Sequence, residues 1–233
     1  MLNKVSVKNL FMFPGAVKTI PFHWERPIWE NEKNQESPLA ILSSAQRLKE
    51  YLLVIKPRED INNKVAAEKE NFYLQYLQKK HSLLTPHITV AGFLAKESME
   101  ETLIRWIQRI CSLHKSFIVT LNNYSGFPPH TIYLRVQDHE PFQQLARQLK
   151  IIDEYIQSNG CPEIRLMTRP HLSIAKQLPQ KIYDKAMLDY SQKLFFESFT
   201  AGELLLLRIE KGTEAYKVIN VFGLLPNENN LFN

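Results

Sequence analysis

The chain contains one five-residue pattern twice, as Pro86-His87-Ile88-Thr89-Val90 and as Pro170-His171-Leu172-Ser173-Ile174. Each copy reads proline, histidine, apolar residue, hydroxyl residue and β-branched apolar residue. Because successive side chains of a β-strand point to opposite faces, the histidine and the hydroxyl residue share one face. The pattern therefore predicts two strands that each bury an apolar face and present an imidazole and a hydroxyl on the other.

These imidazoles and hydroxyls are suited to phosphate chemistry. The ordinary pKa of histidine lies near neutrality, so that two imidazoles can serve as general base and general acid. Two hydroxyl groups can hold a phosphate between them. A single His-x-Thr in a strand is weak evidence, because most such histidines are surface or core residues. Two copies at matching points of the chain favour a functional site.

The elements before the two motifs are predicted to follow the same order. An apolar strand and an amphipathic helix precede each motif, at residues 51–55 and 65–80 and again at residues 131–136 and 142–156. His87 follows Leu52 by 35 residues, and His171 follows Ile132 by 39 residues. The chain thus reads as a duplicated α+β unit, in which each copy contributes one motif strand to a shared groove.

The rest of the chain divides into an irregular extension and further regular elements. Prolines interrupt residues 1–46, which predicts an irregular N-terminal extension before a domain of residues 47–233. Within that domain, the pattern predicts a helix around residues 103–111, a strand at 117–121, a turn at 126–129 and a helix at 181–194. Residues 203–210 and 216–222 read as a terminal hairpin.

The composition is that of an ordinary globular protein with a small positive excess. The chain has 233 residues, 44% of them hydrophobic, and a formal net charge of +5. Such a charge favours a phosphate-bearing partner only weakly. Two cysteines make no disulfide framework, which predicts a reducing, cytoplasmic setting. The apolar runs are too short to cross a bilayer, so that no membrane partner is expected.

The paired motif resembles that of the two-histidine (2H) phosphoesterase superfamily, within its branch of 2'-5' RNA ligases and RNA 2',3'-cyclic phosphodiesterases. That family carries two H-x-[ST]-x motifs, which residues 87–90 and 171–174 match. Its second motif often continues to a basic residue, here Lys176, and members end with an aromatic-led strand, here beginning at Tyr216. The resemblance covers about residues 47–224. It implies an α+β fold of two lobes, with two antiparallel sheets flanking a central groove and helices outside.

The resemblance implies a phosphodiesterase that uses no metal and no cofactor. Its substrates would be 2',3'-cyclic phosphate ends of RNA, or related cyclic or 2'-5'-linked nucleotides. His87 and His171 would be the catalytic acid and base, in an order that the sequence does not decide. The phosphate would be bound by Thr89, Ser173 and Lys176. RNA or a small nucleotide is the expected partner, and the protein is expected to act as a monomer.

Four further residues are candidates for substrate binding. Tyr133 and Arg135 share one face of a predicted strand, where they could stack on a base and hold a phosphate. Phe127 and Tyr216 could also stack on a base, although such aromatics are more often core residues. Two other functions stay open at this point, a 2'-5' RNA ligase and a non-catalytic nucleotide- or RNA-binding module.

Overall fold

The computed structural model describes residues 48–77, 85–209 and 216–227. The predicted extension of residues 1–46 lies outside this range. The described residues form nine strands and four α-helices, which in chain order are β1 Leu48–Ile55, α1 Glu59–Phe72, β2 Ile88–Lys96, α2 Glu100–Cys111, β3 Phe117–Phe127, β4 Thr131–Val136, α3 Glu140–Ser158, β5 Arg165–Leu166, β6 His171–Ala175, α4 Gln180–Tyr190, β7 Phe196–Ala201, β8 Glu203–Ile209 and β9 Tyr216–Gly223. A π-helical turn, Tyr73–Leu77, continues α1, and a short 3₁₀ turn, Glu97–Met99, precedes α2.

The strands form one antiparallel sheet in the order β7-β3-β4-β6-β2-β1-β8-β9, with β5 paired to β2. The two motif strands, β2 and β6, are neighbours in the middle of this order. They are joined where Ile88 lies opposite Leu172. The predicted α+β class is confirmed. The two antiparallel sheets that the resemblance implies are joined at this junction into a single sheet.

The helices connect the two halves of the sheet. The first half contains β2, β1, β8 and β9, and the second contains β6, β4, β3 and β7. Helices α2 and α3 pack on each other and against β9 and β2, whereas α1 contacts β6 and α4 contacts β3 and β4. Helix α1 therefore connects β1 and β2 of the first half but packs against β6 of the second half. Helix α3, conversely, follows β4 of the second half but packs against β2 of the first half.

Alternation along β1 and β2 separates a core face from a groove face. Tyr51, Leu53 and Ile55 are fully buried, and the ring of Tyr51 stacks on that of Phe93 at 5.4 Å. Because partners across an antiparallel pair point to the same face, Val54 and its partner Thr89 lie on the opposite face. The groove face therefore carries the threonine of the first motif.

Several element boundaries differ from the predicted ones. Helix α1 begins at Glu59 instead of residue 65, since Glu59 and Asp60 suit the positive end of the helix dipole and Ile61 already packs in the core. Helix α4 ends at Tyr190 and β3 continues to Phe127. Strand β7 is not predicted, because it exposes one face at the edge of the sheet and its burial pattern is weak. In the described ranges, no helix has the length and apolar character that crossing a bilayer requires.

Candidate active site

The junction between β2 and β6 places the two motifs side by side. His87 directly precedes β2, and His171 is the first residue of β6. Since Ile88 lies opposite Leu172 in an antiparallel register, His87 falls across from Ser173 and Thr89 falls across from His171. The four motif side chains predicted from the sequence thus occupy one face on either side of this pair.

Both imidazoles are oriented in the same way by the backbone. The Nδ1 atom of His87 lies 2.9 Å from the carbonyl oxygen of Thr85, and that of His171 lies 3.1 Å from the carbonyl oxygen of Arg169. A carbonyl oxygen can only accept, so that Nδ1 is the donor in each ring. In each neutral imidazole, Nε2 is then the nitrogen that can take up a proton.

The surroundings of His87 oppose its protonation. The side chain of His87 is half-buried, while Thr89 and His171 are only 6% and 4% exposed. Burial lowers the pKa of His87 to about 4, and the positive charges of Lys176 and Lys69 act in the same direction. The hydrogen bond to Thr85 acts in the opposite direction and is outweighed. His87 is therefore a neutral imidazole at pH 7.

Lys176 directly follows the end of β6. Strict alternation would place residue 176 on the face opposite to the histidines, but the strand ends at Ala175. The positive charge of Lys176 lowers the pKa of both His87 and Lys69. The role of Lys176 in phosphate binding stays a prediction.

The predicted aromatic candidates surround the two imidazoles. The ring centroids of Phe127 and Tyr133 lie 5.1 Å and 4.9 Å from that of His171, and the two aromatic rings stack on each other at 4.3 Å. Tyr216 meets His87 edge to face at 6.3 Å. These positions leave each aromatic residue able to border a ligand held at the imidazoles.

A cavity of about 330 Å³ lies beside His171 on the second half of the sheet. Arg135 pairs across from His171 and donates from Nε to the carbonyl oxygen of Asn122 at 3.1 Å. The volume lies near the lower end of the usual range for small-molecule sites, about 300–1,000 Å³. Aromatic rings beside guanidinium groups suit a base with its phosphate. The principal lining side chains are Asn122, Phe127, Tyr133, Arg135, Gln137 and Arg169.

The model of the 2'-5' RNA ligase superfamily matches residues 57–213, which is more than half of the chain. The chain belongs to the 2'-5' RNA ligase superfamily. The family resemblance carried by the two H-x-[ST]-x motifs is thereby confirmed. No curated protein sequence matches the chain.

Solved structures share the fold of this superfamily member at low sequence identity. A phosphoesterase aligns with a TM-score of 0.55 at 16% identity, over 77% of this chain and 99% of its own. Escherichia coli LigT complexed with 3'-AMP aligns with a TM-score of 0.54 at 14% identity, over 76% of this chain and 99% of its own. The TT0787 protein of Thermus thermophilus aligns with a TM-score of 0.55 at 15% identity, over 76% of this chain and 99% of its own. At these identities the likeness is one of fold.

Proposed function

We propose that this member of the 2'-5' RNA ligase superfamily is a phosphodiesterase that opens 2',3'-cyclic phosphates at RNA ends or on small nucleotides. The observation that carries the proposal is the pair of His-x-hydroxyl motifs across the β2–β6 junction, with each imidazole oriented by the carbonyl two residues before it. Such a pair can deliver and remove protons on either side of one phosphorus atom.

In the proposed reaction, His87 is the general base and His171 the general acid. The neutral Nε2 of His87 takes a proton from water as the water oxygen bonds to phosphorus. The bond from phosphorus to one ribose oxygen breaks, and protonated His171 gives its proton to that oxygen. Thr89, Ser173 and Lys176 stabilise the charge on the non-bridging oxygens, where it grows in the transition state. The lowered pKa of His87 supports this assignment of the base.

The flanking aromatic and basic residues are proposed to bind the nucleoside. The cavity beside His171 would take the base against Phe127 and Tyr133, with Arg135 near a neighbouring phosphate, and Tyr216 would border the opposite side at His87. The E. coli LigT structure holds 3'-AMP, which is the kind of nucleoside monophosphate that opening a cyclic phosphate would release.

The test is turnover of a 2',3'-cyclic nucleotide and of a short RNA with that end, both in EDTA, with the phosphate position in the product determined. The expected result is a phosphomonoester whose formation is insensitive to EDTA. Formation of a 2'-5' linkage from a cyclic end and a free hydroxyl would instead favour the ligase. Binding without turnover would contradict the proposal and favour a binding module.

The pH dependence of kcat/KM tests the assignment of His87 as the base. The base of the free enzyme must be unprotonated, so that activity falls as pH drops through its pKa. We expect this acidic limb near pH 4, well below the value of 6.5 for an ordinary histidine. Lys176→Gln removes one charge that lowers the pKa of His87, and should move the limb to higher pH.

A matched charge change separates this effect from net charge. Lys150 is an exposed lysine of α3, so that Lys150→Gln should leave the limb in place. An acidic limb that stays near pH 6.5 in the wild type, or that Lys176→Gln does not move, would assign the base to another group.

A further inference from the structure

The cavity beside His171 is lined by two arginines. Arg135 belongs to β4, and Arg169 lies two residues before β6 begins. The other polar side chains that line the cavity are Asn122, Tyr133, Gln137 and His139. No described lining residue of this cavity is an aspartate or a glutamate. Two guanidinium groups without a carboxylate in the same lining make this cavity attractive to an anion.

The backbone ties both arginines to the cavity. The Nε atom of Arg135 donates to the carbonyl oxygen of Asn122, another lining residue, at 3.1 Å. A guanidinium has five N–H donors, and this contact uses the one on Nε. The carbonyl oxygen of Arg169 accepts the hydrogen bond from Nδ1 of His171 at 3.1 Å. The backbone of the second arginine is thus in direct contact with the imidazole of the second motif, and both side chains are exposed to a ligand.

The cavity lies on the side of β6 that faces away from the first motif. Thr89 of β2, His171 of β6 and Arg135 of β4 follow one another across the sheet. Because adjacent strands are 4.7–4.9 Å apart, the backbones at Thr89 and Arg135 are about 10 Å apart. The rings of Phe127 and Tyr133 line the same cavity, at 5.1 Å and 4.9 Å from the ring of His171. This arrangement suits one nucleoside with a phosphate group on each side.

We propose that Arg135 and Arg169 together bind a second phosphate of the substrate, the one on the 5'-oxygen of the nucleoside whose cyclic phosphate lies at the motifs. This inference rests on the proposed function. The cyclic phosphate occupies both the 2'- and the 3'-oxygen, so that the 5'-oxygen is the remaining point of attachment on the ribose. Guanidinium groups bind phosphate oxygens through two parallel N–H donors, which makes arginine suited to this role.

The second phosphate has two chemical sources. In an RNA end it is the last internucleotide linkage, and in a small nucleotide it is a 5'-phosphate. In both cases the preferred substrate carries a phosphate on each side of the ribose, and a cyclic mononucleotide without a 5'-phosphate is the poorer substrate.

The test compares two ligands that differ only in the second phosphate. Calorimetric titrations give the affinities of adenosine 3'-monophosphate and adenosine 3',5'-bisphosphate. We expect the wild type to bind the bisphosphate about 10–100-fold more tightly, the gain expected from charge-assisted hydrogen bonds. Arg135→Gln and Arg169→Gln should each lower this ratio of affinities by about 5–10-fold. A residue with only a structural role would weaken both ligands and leave the ratio unchanged.

Two further variants control for charge and geometry. Arg105 is an exposed arginine of α2 outside the lining of the cavity, so that Arg105→Gln makes the same change in net charge and should keep the wild-type ratio. Arg169→Lys keeps the charge but cannot donate two parallel hydrogen bonds, and should keep only part of the ratio.

A comparison of substrates distinguishes the two sources of the second phosphate. The measurement is kcat/KM for a cyclic mononucleotide, for the same nucleotide with a 5'-phosphate, and for a dinucleotide with a cyclic end. A higher value for the dinucleotide assigns the cavity to the linkage of an RNA end, and a higher value for the 5'-phosphorylated nucleotide alone assigns it to small nucleotides. Equal values for all three would contradict the inference.

The outcomes separate this inference from the proposed function. The inference is overturned if the wild type binds the two adenosine ligands equally, if it binds neither, or if Arg135→Gln and Arg169→Gln leave the ratio unchanged. Turnover of cyclic phosphates would then still support the phosphodiesterase. If the two arginines raise the affinity for the bisphosphate but no cyclic phosphate is turned over, the second phosphate site stands while the phosphodiesterase proposal fails.

Discussion

Replacing His87 or His171 with alanine is expected to lower turnover of a 2',3'-cyclic nucleotide by about 10²–10⁴-fold, the usual contribution of one positioned acid or base. Each variant loses one proton transfer and keeps the hydroxyls that hold the phosphate. Because the two imidazoles act in the same step, the double variant should lose much less than the product of the two single losses. The measurement is kcat for the three variants in EDTA.

A third histidine provides the control for these variants. His130 is exposed, and its Nδ1 lies 3.3 Å from the carbonyl oxygen of Leu178. His130→Ala should retain wild-type turnover. Activity that survives loss of both His87 and His171 would contradict the proposed site, since the reaction would then proceed elsewhere on the protein.

Truncating Phe72 to alanine is expected to lower the free energy of unfolding by about 3–5 kcal/mol, as for other large buried aromatics. Phe72 is fully buried at the end of α1. Its ring lies 5.5 Å from that of Tyr190 on α4 and 4.8 Å from that of Tyr76. Phe72 therefore joins α1 to the second half of the sheet. Denaturant-induced unfolding measures the decrease in the free energy of unfolding.

A double-mutant cycle tests the packing of α1 on α4 directly. Phe72→Leu and Tyr190→Leu should show a coupling of about 0.5–1.5 kcal/mol, because edge-to-face ring pairs contribute about that much beyond burial. Phe142 of α3, whose ring lies 5.4 Å from Phe117, is the matched control, and Phe142→Leu should be additive with Tyr190→Leu. The packing of α1 on α4 would be contradicted if Phe72 showed no coupling to Tyr190, or if Phe142 showed the same coupling to Tyr190 as Phe72 does.

The motif strands could be predicted from the sequence because their pattern is local. Alternation alone places His87 with Thr89 and His171 with Ser173, and buries Ile88 and Leu172 behind them. Both apolar residues are fully buried and lie opposite each other. The duplication and the roles of the site residues stay predictions, because burial and register locate side chains without measuring what they do.

The remaining features depend on contacts between distant parts of the chain. No local pattern shows that α1 crosses to the half of the sheet opposite its own strands. The predicted first helix starts at residue 65, six residues after the observed start at Glu59, and this late start removes Ile61 from the buried stripe of the helix.

The most direct measurement is a crystal structure of the protein with a nucleoside 2'- or 3'-monophosphate, the product of the proposed reaction. We predict a phosphate between the two motifs, with Nε2 of His87 and Nε2 of His171 each about 2.6–3.2 Å from a different oxygen of the ligand, the reach of a catalytic hydrogen bond. The hydroxyls of Thr89 and Ser173 would donate to the remaining oxygens. A phosphate bound away from both imidazoles would contradict the proposed active site.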